Sequence, residues 1–178
     1  KWLGESGREA QKIVTGAAAI SAPVDLASAG ARLDRGFNRH SYTRHFLRTL
    51  RRKTQEKIHA HRLPIAPHAL RQATTLYAFD DLYTAPMHGY RNADDYWQRA
   101  SSKPWLNSIA VPTLIVHAHN DPFLPASTYL EQVELSPDIT LELTRQGGHV
   151  GYVNGPFPGK LSWLPNRVLN FFSQKHNS

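Results

Sequence analysis

Two side chains in this sequence could carry proton-transfer chemistry together. Asp121 sits in HAHNDPF and His149 in RQGGHVGY. A carboxylate that accepts the Nδ1–H of an imidazole fixes its tautomer. It also stabilises the imidazolium formed when Nε2 takes a proton from a nucleophile. Asp121 follows the run TLIVHA (113–118) and His149 follows ITLELT (139–144). The first run is apolar and β-branched and the second alternates, so both read as strands. In open parallel sheets ligands bind beyond the carboxyl ends of the strands, which would place both residues at one edge. Gly147 and Gly148 let the chain turn tightly just before His149. Taken singly, an Asp-Pro after a strand reads as a turn and a Gly-Gly-His as a loop. Their order and matching positions after two strands make them a candidate acid and base.

A second chemistry is written into the same stretch. His117-Ala118-His119-Asn120-Asp121 is an H-x-H-x-D string at a strand end. Strand alternation would put His117 and His119 on one face, where they could chelate zinc. No other cluster of comparable spacing stands out, and His59 and His61 lie on an expected helix, where i and i+2 do not share a face. A metal-dependent hydrolase using His117 and His119 is therefore an alternative reading.

The chain has 178 residues, 40% of them hydrophobic and 20% charged, enough for one domain of ordinary size. No apolar run approaches the ~20 residues of a membrane-spanning helix. There is no cysteine, which excludes disulfides and thiolate chemistry. No signal peptide is visible and the first residue is Lys1, so the expectation is a cytoplasmic piece of a longer product. The formal net charge is +7 and the pI about 9.9. Much of that charge lies between Arg32 and Arg71, and its plainest reading is the solvated face of a helix. A basic module contacting nucleic acid or an anionic membrane surface is the other alternative. Tyr42 and Phe46, which could stack on bases, fall on the apolar stripe of the expected helix, and no recognised nucleic-acid motif is present. A basic helical face favours anionic surfaces, so weak contact with an anionic membrane surface is expected and nucleic acid is not.

The elements that must position Asp121 and His149 follow from periodicity. Lys1–Ala10 reads as the end of a helix and Ile13–Ala22 as a buried strand. From about Val24 to Pro104 the chain is polar, basic and helical in period. Phe37, Tyr42, Phe46, Leu47, Leu50 and Ile58 form one stripe. Pro64 and Pro67 break that helix, a second covers His68–Tyr77, and a third begins at Asn92 with Asp94 and Asp95 in its first turn. Leu161–Phe172 carries a final helical stripe. The order is helix, strand, helical insertion, strand, connecting segment, strand, helix, which is part of a parallel α/β sheet.

Several segments together resemble a known family. VPTLIVHAHNDPFLP and LELTRQGGHVGY are similar to the acid and base segments of α/β-hydrolases. AISAPVDL, LYAFDDLYTAPMHGYRNADDYW and GGHVGY resemble the YheT-like (EMB8/ABHD1/3-type) group, and Lys1-Trp2-Leu3-Gly4 resembles the helix after its nucleophile elbow. The resemblance implies the C-terminal portion of an α/β-hydrolase fold with a helical cap insertion. Residues 1–28 and 105–178 would be core, and 29–104 the cap covering the site and shaping an acyl pocket. It implies a Ser–Asp–His triad in which Asp121 is the acid and His149 the base. The nucleophile has no counterpart: Gly4-Glu5-Ser6-Gly7 lacks the G-x-S-x-G spacing, so Ser6 is rejected. The elbow is expected about ten residues before Lys1, and the oxyanion hole is absent with it. Phe79-Asp80-Asp81 reads either as a substrate-pocket or cap-anchoring element or, more simply, as a helix start with acidic residues. The expected activity is carboxylesterase- or lipase-like hydrolysis of small acyl esters by the complete protein. No cofactor is expected, this stretch alone is expected to be inactive, and its partner is the N-terminal half of the same protein.

Overall fold

The computed structural model describes residues 1–63, 65–124, 130 and 133–175. In chain order the elements are α1 (Trp2–Ser6), β1 (Ala17–Ile20), α2 (Leu26–Leu33), α3 (Gly36–Asn38), α4 (Arg44–His61), α5 (Pro67–Gln72), α6 (Leu76–Phe79), α7 (Ala85–Met87), α8 (Ala93–Ala100), β2 (Thr113–Ala118), β3 (Ile139–Thr144) and α9 (Trp163–Lys175). They divide into two compact units. Lys1–Val24 and Ser102–Ser178 form one, and Asp25–Ser101 forms the other. No helix among the described residues is long and apolar enough to cross a membrane.

The first unit is an α/β layer around three parallel strands in the order β1-β2-β3. β2 is central and buried at every residue, as a β-branched run covered on both faces should be. Its register pairs Thr113 with Ala17 on one side and Ile139 on the other. Alternation then sorts its side chains. Ile115 packs with Val24, Leu106, Ile109 and Leu130 on one face. Leu114, Val116 and Ala118 pack with Tyr152 and Phe171 on the other, against Trp163, Leu164 and Val168 of α9. β1 occupies only four residues of the expected Ile13–Ala22 run: Ile13 and Thr15 lie in a turn and a bend before it, and Ser21 leaves the strand at positive φ. Gly4 is a point of close approach: a Cβ there would lie 2.2 Å from the carbonyl oxygen of Trp105.

The second unit is helical, with no strand among its described residues. Leu47, Leu70, Ala73 and Phe79 form its core, with Leu50 and Ile58 packed against them. The first half of the expected stripe is corrected: Phe37 is 79% exposed and Tyr42 37%. The chain runs through a π-helical turn at Arg39–Thr43 before α4 begins, and its wider winding rotates those two aromatics out of line with Leu47. α4 ends on Arg62, a left-handed C-cap whose N–H bonds to the Ile58 carbonyl. Pro64, expected to help break this helix, lies outside the described residues. The expected helix His68–Tyr77 is two helices, because Thr75 adopts an extended backbone and caps α6 by accepting from the Ala78 N–H at 3.1 Å. Asn92 caps α8 as expected, accepting from the Asp95 N–H at 2.9 Å.

Phe79-Asp80-Asp81 anchors helices within this unit. Asp80 Oδ2 accepts from Trp97 Nε1 at 2.8 Å, and Asp81 Oδ1 accepts from the Ala93 N–H at 2.9 Å. Burial pushes the Asp80 carboxyl above the usual range, against the pull of its bonds from Thr84 and Trp97. Trp97 in turn lies so close to Gly30 that a Cβ there would stand 2.5 Å from its ring.

Candidate active site

β2 leads into Asp121, the candidate acid. The strand ends at Ala118 and turns at once, with the Asp121 N–H donating to the Ala118 carbonyl at 3.1 Å. The Asp121 side chain is fully buried. Its Oδ1 accepts from the Phe123 N–H at 2.8 Å, which closes an Asx turn over Pro122 and fixes the carboxylate's orientation. Its Oδ2 faces His149.

β3 leads into the loop that carries His149, the candidate base. The loop after Thr144 turns through Gly147 and Gly148 to His149, and Gly148 needs its lack of a side chain, with φ at +59°. His149 Nδ1 lies 3.0 Å from Asp121 Oδ2. The His149 side chain is 37% exposed, while its carboxylate partner is sealed. The phenyl ring of Phe123 lies 4.5 Å from the imidazole, centre to centre, and limits its swing. A buried carboxylate holding Nδ1 leaves Nε2 as the nitrogen free to exchange a proton, the arrangement a general base requires.

Two positioning groups carry no signal in the sequence pattern. Asn120 Oδ1 accepts from the backbone N–H of both Gly147 and Gly148, each at 2.9 Å, and so ties the His149 loop to the Asp121 turn. Tyr152 holds the far side of the same loop. Its N–H donates to the Gly147 carbonyl at 2.8 Å, its ring stacks on Trp163 at 5.3 Å, and its hydroxyl lies 3.1 Å from Ser21 Oγ at the end of β1. Tyr152 and Ser21 are both buried with positive φ, at 46° and 49°. A buried Tyr in that conformation is held there by its surroundings. Its hydroxyl is pushed up from the usual phenol range, first by burial. Among the described residues no serine hydroxyl is bonded to His149.

The two histidines of the H-x-H-x-D string part company. β2 stops at Ala118, so alternation does not reach His119, which stands exposed on the turn. His117 is 1% exposed, and both its ring nitrogens are buried without a hydrogen-bond partner among the described residues. Burial pushes its pKa down, with Asp121 opposing and His149 reinforcing the shift. Among the described residues no group of three or more His, Asp or Glu side chains is placed to hold a metal.

Comparison with known proteins agrees with this architecture. A family model for the α/β hydrolase fold matches residues 8–156. The chain is 38% identical over 162 residues to the putative esterase YheT of Escherichia coli, covering 90% of this chain and 47% of that protein. It is 36% identical over 104 residues to the mouse phospholipase ABHD3, covering 58% of this chain and 25% of that protein. A monoacylglycerol lipase of Saccharomyces cerevisiae is 37% identical over 83 residues, 47% of this chain and 18% of that protein. The chain thus spans less than half the length of each of these relatives. No solved structure matches it.

Proposed function

This chain belongs to the α/β-hydrolase family, and from that premise we propose that the whole protein is a serine hydrolase of carboxylic esters in which Asp121 is the acid and His149 the base. The observation that carries the reading is the 3.0 Å contact between Asp121 Oδ2 and His149 Nδ1, at the carboxyl ends of adjacent parallel strands. The ester class is supported by relatives named as an esterase, a phospholipase and a lipase.

In this reading His149 Nε2 removes the proton of a serine hydroxyl as the oxygen attacks the ester carbonyl. The resulting imidazolium is stabilised by Asp121 through Nδ1–H and then gives its proton to the departing alkoxide. Water repeats the cycle to release the acid. The serine lies outside these 178 residues, since no G-x-S-x-G occurs in them. The helical unit is inserted in sequence between β1 and β2.

Hydrolysis of a chromogenic short-chain acyl ester tests this. The full-length protein should turn it over and be inactivated by a serine-directed organophosphonate, and residues 1–178 alone should do neither. Ester turnover by the 178-residue chain that is lost in His149→Ala would overturn the placement of the nucleophile. Turnover by the full-length protein that survives the organophosphonate would overturn the serine mechanism.

A further inference from the structure

The face of α4 that points away from the helical core carries a concentration of positive charge with no part in the acid–base pair. Arg44, His45, Arg48, Arg51 and Arg52, together with Ser41, line a groove of about 600 Å³. At about 100° per residue the five basic positions fall within an arc of roughly 120°. Leu47, Leu50 and Ile58 occupy a different arc and face the core. No Asp or Glu lines the groove, and Arg44, Arg48 and Arg52 form no ion pair among the described residues.

Such a face opposes its own formation, because like charges four residues apart on a helix repel. Arg51 adds a second cost. Its Nη2 donates to the Ala73 carbonyl at 2.5 Å, but its Nε is buried without a partner among the described residues. A buried donor left unpaired is unfavourable unless an acceptor arrives. An oxyanion in the groove relieves the repulsion among the guanidinium groups. Guanidinium forks match phosphate oxygens bidentately, so four arginines on one face favour a phosphoryl group. Phe37 identifies the kind of molecule that carries it. It lies one turn before Ser41, whose hydroxyl donates to the Phe37 carbonyl at 2.8 Å, and its side chain is 79% exposed. A basic groove with an exposed aromatic beside it is the surface that lipid interfaces favour.

We infer that this groove binds the phosphate of an anionic lipid headgroup, with Phe37 entering the adjoining acyl boundary. The choice of a lipid rests on Phe37 and on the acyl-ester reading above. The test reads binding, so it stands apart from turnover.

The full-length protein is sedimented with phosphatidylcholine vesicles, with and without phosphatidic acid. One variant combines Arg44→Gln, Arg48→Gln and Arg52→Gln. A control combines Lys53→Gln, Lys57→Gln and Arg71→Gln, which removes the same charge from outside the groove. The parent should bind only the phosphatidic acid vesicles. The groove variant should bind them at least about tenfold more weakly, and the control within about twofold of the parent. Equal loss in the two variants, or no binding by the parent, would overturn the site. Tighter binding of inorganic phosphate or of a short single-stranded oligonucleotide than of the vesicles would overturn the lipid as its occupant. Ester turnover measured on the same samples keeps the two readings apart. Vesicle binding without turnover fails the hydrolase reading alone, and turnover without vesicle binding fails the groove alone.

Discussion

Asn120 and Gly148, 28 residues apart in sequence, are joined by a 2.9 Å hydrogen bond from the glycine N–H to Asn120 Oδ1. The Gly147 N–H shares that oxygen at the same distance. One amide thereby holds the His149 loop against the turn of Asp121, one residue along the chain from that carboxylate.

Asn120→Ala should therefore loosen His149 without touching it. If the full-length protein hydrolyses esters as proposed, the expected result is a fall in kcat of about ten- to a hundredfold with KM nearly unchanged. Asn120→Asp, which keeps the acceptor, should recover most of the loss. Steady-state kinetics on both variants checks this. Equal losses in Ala and Asp, or a change confined to KM, would show that the amide bonds do not position the base.

Gly147 is excluded from bearing a side chain by space. A Cβ there would lie 2.7 Å from the Tyr152 ring and 2.9 Å from the Ala118 Cβ. Both neighbours are buried, and the Tyr152 ring is stacked on Trp163, so little can give. Gly147→Ala is expected to destabilise the fold by about 1–3 kcal/mol, measured as a lower urea midpoint with unchanged slope. A midpoint equal to that of the parent would contradict the packing described.

The strands that carry the pair were legible from their chemistry. Thr113–Ala118 and Ile139–Thr144 form over the same residues that their β-branched and alternating patterns mark. Asp121 and His149 could be read as neighbours because parallel strands bring their carboxyl ends together. Asn120 was not legible in the same way. Its role depends on the register of β2 against β3, which no local pattern encodes. The same holds for Tyr152, whose value lies in a positive φ and in partners on β1 and α9. In the helical unit the stripe failed at Phe37 and Tyr42 because one π turn shifts the phase. It failed at His68–Tyr77 because Thr75 starts a new helix instead of continuing the old one.

His117 should give stability a dependence on pH near neutrality. Burial holds its folded pKa below the ordinary value near 6.5. Below that value the unfolded chain takes up a proton that the folded chain resists. The stability contributed by neutral His117 is therefore complete above about pH 6.5 and is lost as pH falls beneath it. His117→Leu, of similar volume, removes the titrating group. The variant should lose less unfolding free energy than the parent between pH 7 and pH 5.5, measured by urea titration. Equal losses would place His117 in a site that accepts its proton.

The most direct test of the acid–base pair is the turnover number of Asp121→Asn in the full-length protein. An asparagine preserves the shape and the Phe123 contact but offers His149 no negative charge to stabilise its imidazolium. The circular dichroism spectrum should match the parent, while kcat on an acyl ester should fall by about two to four orders of magnitude. A rate within about threefold of the parent, from a protein equally well folded, would contradict the role of Asp121 and with it the account of the site.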